Sequence, residues 1–162
     1  MRLIGIAAVF AAVLAAIPAR AEFPFKPDQA AKKLTGAATK IGAPLRFRPL
    51  VCAQEQRQVC RFSAPAVQGM ASSLPGKNAA DVTMILDSDS GEGLDALVAF
   101  GALIALVSPE LSPTARGEII MSTVSRVLVD GEEMAAVTRG GVRYTPSFSS
   151  FAGLWFIASS TK

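Results

Sequence analysis

Histidine is absent from the 162 residues. Ser-His-Asp and Cys-His nucleophilic sites take their base from an imidazole, so neither can be built from this chain. Every His-ligated metal site is excluded with them. Cysteine is nearly as scarce, with two residues, Cys52 and Cys60. Redox dithiols are spaced two residues apart, where a helix start can stabilise one thiolate, and this pair is much wider. Two thiolates with no imidazole also make a poor tetrahedral zinc site. Gly91-Glu92-Gly93 is too little glycine to cradle a phosphate. No repeat, low-complexity run or linker divides the chain. Glycosidase chemistry needs two acids flanking a sugar-sized cleft, and the adjacent pair Glu132-Glu133 reads as a solvated turn. These absences predict a protein that is not an enzyme and carries no cofactor.

The N-terminus is rich in what the rest lacks. Arg2 precedes an unbroken apolar and glycine run from Leu3 to Ile17, which Pro18 ends. Ala19-Arg20-Ala21 then sets small residues at the two positions a signal peptidase reads. The run is shorter than the roughly 20 residues a spanning helix needs. Residues 1–21 therefore read as a secretory signal peptide, and residues 22–162 as one working domain. No cysteine lies near Glu22, so a lipid anchor is not expected, and the expected location is periplasmic or secreted. The full chain carries 16 Lys and Arg against 13 Asp and Glu, a net of +3. Without residues 1–21 the balance is 14 against 13. That near-neutrality argues against a nucleic-acid partner, and no membrane anchor is expected after the leader is removed.

In an exported chain an even cysteine count favours a disulfide. The segment between Cys52 and Cys60 is polar and turn-like, with Leu50-Val51 and Phe62 flanking it. A hairpin stapled across its two strands is predicted.

Along the chain, Asp28 is placed to cap a helix through about Lys40, with Ala30, Leu34, Ala37, Ala38 and Ile41 at helical spacing. Leu45-Arg46-Phe47-Arg48 alternates as a strand, and Pro49 marks an edge or a break. Val67 to Ser72 and Val82 to Leu86 read as further strands, with a turn at Leu74 to Asn78. Asp87 and Asp89 open a segment that starts like a calcium loop, but the glycine falls one place early and the twelfth position is Val98. A helix cap at Asp89 or Ser90 is the plainer reading.

Leu94 to Val107 is apolar except for Asp95 and is predicted as a buried helix, its alanine row at 96, 99, 102 and 105 suited to lying close against a sheet. Ser108-Pro109 and Ser112-Pro113 both read as cap-plus-first-residue pairs. A helix from Pro113 to about Val129 should bury Ile120, Val124, Val127 and Leu128. Strands at Met134 to Thr138, Val142 to Thr145 and Leu154 to Ser159 follow, the first two joined by the turn Gly140-Gly141. The last residues read as a frayed terminus. Segregated runs of strands and helices predict an α+β fold, an antiparallel sheet with helices on one face.

Charge is distributed in blocks. Residues 26–77 hold nine Lys and Arg against Asp28 and Glu55, and residues 78–138 hold ten acids against Arg116 and Arg126. Arg46 and Arg48 share one side of a strand, and Arg139 and Arg143 flank the Gly140-Gly141 turn. Were those strands neighbours, four guanidiniums would form one anion-binding patch. The functional expectation is a non-catalytic exported binding or interaction domain. Its partner would be a protein or a small anionic ligand of the cell envelope. Two other readings remain open: a histidine-free hydrolase using acids, and a carrier holding an apolar ligand between the sheet and the 94–107 helix.

Overall fold

The computed structural model describes residues 21–86, 93–150 and 153–161. Asp87 and Asp89, the calcium candidates, and residues 1–20 of the leader lie outside them. The described chain is α+β. Seven strands form one antiparallel sheet in the order β1-β2-β3-β4-β7-β6-β5. They are β1 (Arg48–Gln54), β2 (Gln58–Ala64), β3 (Val67–Ser73), β4 (Asp81–Leu86), β5 (Val137–Arg139), β6 (Val142–Ser149) and β7 (Gly153–Ser160). Three helices accompany them: α1 (Ala30–Lys40), α2 (Gly93–Val107) and α3 (Pro113–Leu128). The first four strands form a meander, and the last three return to it through β7, which pairs with β4.

Period-two alternation gives each strand one face against the helices. Phe62, Gly69, Met84, Phe156 and Pro146 are register partners across five strands, and all are buried. Gly69 is in this row because Phe62 needs the space. A Cβ at Gly69 would collide with the Phe62 ring and lie 2.8 Å from the Thr83 carbonyl oxygen. Phe100 of α2 stacks on Phe156 with ring centroids 4.7 Å apart. The space between α2 and the sheet is thus filled by side chains at the place where a carried apolar ligand was considered. Ala96, Ala99 and Ala102 of the alanine row are buried as well.

The hairpin forms as predicted, with a Cys52–Cys60 disulfide across register partners whose Cα atoms are 4.0 Å apart. A disulfide is compatible with an oxidising compartment. Among the described residues no helix is long and apolar enough to cross a membrane. Gly140 and Gly141 take φ of 58° and 78°, as a two-residue hairpin turn of primed type requires.

Several local expectations are corrected. The strand begins at Arg48, because the Phe47 backbone pairs instead with the Thr35 hydroxyl of α1: Phe47 N–H donates to Thr35 Oγ1 at 2.9 Å. Asp28 sits inside a 3-10 turn, Pro27–Gln29, rather than capping α1. Ser112 does cap α3, accepting from the Ala115 N–H at 3.1 Å, but Ser108 follows the end of α2, its backbone N–H bonded to Ile104 O. Leu128 is exposed, and Ile119 and Thr123 take the buried side of α3 in its place. Ser160 and Thr161, expected to fray, are tied down: Ser160 N–H donates to Ala80 O and Thr161 N–H to Gly141 O. At the other end Phe23 and Phe25 are buried, with Phe23 N–H bonded to Ala79 O and Ala79 N–H to Phe25 O.

Candidate functional site

A basic cleft lies between α1 and α2. Helical spacing sets Lys33, Gly36, Ala37, Lys40 and Ile41 along one stripe of α1. Ala105 and Leu106 from the last turns of α2 face it, and Arg116 from the first turn of α3 closes one side. These residues, with Gln29, Lys32 and Pro109, line a cleft of about 700 Å³. Its floor is apolar, its rim carries four cations, and no carboxylate of the described residues lines it. Arg116 is held in place by its Nη1, which donates to the Leu111 carbonyl at 2.9 Å. Gly36 has open space where a Cβ would be, so its absence of a side chain leaves the mouth wide between the lysines. A cleft of this volume is in the range of small-molecule sites. Its chemistry suits an anionic group on an apolar body: ammonium and guanidinium groups for the charge, alanine, leucine and isoleucine side chains for the rest.

The four arginines singled out from the sequence do not meet. Arg46 and Arg48 line a groove of about 360 Å³ beside Pro44, Ser63 and Pro65 at the β1 edge. Arg139 and Arg143 belong to β5 and β6 at the other edge. Five or six strand spacings separate the pairs, roughly 24–29 Å. The second pair is itself divided. Arg143 is the register partner of Thr138 and points to the uncovered side of the sheet, whereas Arg139 partners the buried Val142. Arg139 lines a small cleft with Glu118 of α3. The single patch is therefore corrected to a two-arginine groove and two separate surface arginines.

At the C-terminal end of α3 the chemistry reverses. Leu128, Val129, Met134 and Phe148 are all exposed, Val129 most of all at 79 %. Asp130, Glu132 and Glu133 stand among them. Glu132 is occupied by Arg126, which donates through Nε at 2.9 Å and Nη2 at 2.6 Å. This pairing lowers the carboxyl's pKa and raises the guanidinium's. Glu133 lines the same cleft as Glu132. No group of three or more potential metal ligands is found among the described residues.

One buried polar contact ties the two halves of the core. Tyr144 of β6 donates to Ser108 Oγ at 2.6 Å, and both residues are fully buried. Burial pushes the phenol up to about 12, the hydrogen bond to Ser108 opposes that rise, and the Glu110 charge adds to it. A phenol that holds its proton so firmly is a strut, not a base at neutral pH.

No described element covers the face of the sheet away from the helices. It carries Arg61, Met70, Thr83, Ile157 and Thr145 in one register row. Arg57 bridges Ser72 and Asp81 there, at 3.1 and 2.8 Å.

Lys32, Lys33 and Lys40 were not singled out from the sequence as a site, although their i, i+7 and i, i+8 spacings within one helix were a signal that could have found them. What the sequence could not show was Arg116 arriving beside them from a helix more than seventy residues later. Comparisons with protein-family models, curated proteins and solved structures give no match.

Proposed function

We propose that this protein is a non-catalytic binding module, exported through residues 1–21 to a periplasmic or extracellular setting. It takes an anionic group carried on an apolar body into the cleft between α1 and α2. The observation that carries this reading is the composition of that cleft: Lys32, Lys33, Lys40 and Arg116 around an apolar floor, with no carboxylate of the described residues lining it. Surface lysines are usually offset by nearby acids, and a cleft that concentrates one sign attracts the opposite one. The disulfide and the leader support the compartment, and the absent imidazole supports binding over catalysis.

Calorimetric titration with dodecanoate tests the reading, with acetate and a dodecyl trimethylammonium salt as controls. Dodecanoate alone should bind, more weakly as salt is raised. Lys33→Gln with Lys40→Gln should weaken it at least tenfold. Equal binding of the cationic detergent would overturn the proposal, because a hydrophobic surface without charge selection would explain it.

A further inference from the structure

The strand order sets the basic block of the sequence apart from the acidic turn that follows α3. α1 and β1–β3 come from the basic block and lie on one side of β4, while α3 and β5–β6 lie on the other. The basic cleft ends at Arg116, in the first turn of α3. The acidic apolar turn begins where α3 stops, at Leu128 and Val129. Thirteen helical steps separate Arg116 from Val129, about 20 Å. One copy cannot bring its own turn into its own cleft. The two surfaces nevertheless match. Val129 is the most exposed large apolar side chain described, and Asp130 and Glu133 are exposed beside it. The cleft offers an apolar floor for the valine and free cations for the acids.

Resting on the reading of the cleft given above, we infer that its protein occupant is a second copy of this chain, which inserts the Val129-Asp130 turn head-to-tail between α1 and α2. Such a contact uses two different patches, so it is heterologous, and each copy keeps one open cleft and one open turn. Repetition gives chains of copies rather than a closed pair unless the rotation happens to close a ring. A single turn in a single cleft buries less than the roughly 1,200 Å² of a stable interface. The association is therefore weak, sensitive to salt and favoured where the protein is concentrated.

Sedimentation of the disulfide-bonded protein tests this. The weight-average mass should climb with concentration toward about 1 mM, and the climb should vanish at high salt, where exposed charges are screened. Two neutral variants isolate the ends: Lys33→Gln with Lys40→Gln disables the cleft, and Val129→Ser with Asp130→Asn disables the turn. All four positions are solvent-exposed, so folding should be preserved. Each variant alone should associate at least tenfold more weakly than the unmodified chain. Mixed in equal amounts, they should form a one-to-one pair and nothing larger, because only one intact cleft meets one intact turn. That recovery also demonstrates that both variants are folded. A chain that stays monomeric at low salt overturns the inference, as does a mixture that gives no pair or goes on to larger species. If the chain stays monomeric while dodecanoate still binds, the self-association fails and the anionic cleft stands. If neither is seen, both fail.

Discussion

On the helix-covered side of the sheet, the row Phe62, Gly69, Met84, Phe156 and Pro146 is buried throughout. One residue along each strand, on the uncovered side, the partners are Arg61, Met70, Thr83, Ile157 and Thr145. The backbone ladder is common to both rows, so the difference between them is one of side-chain packing alone. On the covered side large rings meet small residues, and the fit is close enough that Gly69 has no room for a methyl group. On the uncovered side β-branched, hydroxyl and charged groups satisfy strand preference without needing a partner layer. The comparison teaches that the stability of this fold resides on one side of its sheet, which leaves the other side and the helix ends free to vary with whatever they meet.

The largest effect should come from truncating the aromatic stack. Phe156→Ala is expected to cost about 3–5 kcal/mol, the usual range for emptying a packed aromatic site. The adjacent Ile157→Ala, pointing the other way, should cost about 1 kcal/mol. Urea unfolding of the two variants measures the contrast directly, and equal losses would break it.

Next comes the disulfide, which joins buried Cys60 on the covered side to exposed Cys52 at the edge. Replacing both by serine releases an 8-residue separation, for which chain entropy gives about 2.5 kcal/mol. A smaller loss would show that the edge hairpin is already restrained by its ladder.

The smallest effect concerns the Tyr144–Ser108 contact. Tyr144→Phe leaves the buried Ser108 hydroxyl without its donor and should cost about 1–2 kcal/mol. Its pH signature is more specific than its size. The folded phenol ionises near 12 and an ordinary one near 10. Between those values the unfolded chain loses a proton that the folded chain retains, so stability is intact below pH 10 and falls as pH rises toward 12. The chain has one tyrosine, so ultraviolet titration reads this group without interference. Denaturation midpoints on either side of pH 10 should converge in Tyr144→Phe.

Local features were the legible part of this sequence. Alternation located the strands, Gly140-Gly141 fixed a hairpin, and Cys52 and Cys60 gave the staple. Errors arose wherever a distant group decided the outcome. Phe47 was drawn out of its strand by the Thr35 hydroxyl, and Ser108 was claimed by Tyr144 from β6. Leu128 fits the helical stripe of α3 but lies past the edge of the core it was expected to join. The arginine pairs failed as one patch because strand order is not written in any local pattern. The cleft depends on α1, α2 and α3 meeting, and no local pattern announces that meeting.

The position of β7 bears on how the sheet holds together. Residues 153–160 come last in chain order among the described strands, yet they lie in the interior of the sheet, paired with β4 on one side and β6 on the other. Without them, β1–β4 and β5–β6 are two fragments with no shared ladder, and Phe100 lacks the ring it stacks on. Docking of β7 is thus the single joint by which two half-sheets become one.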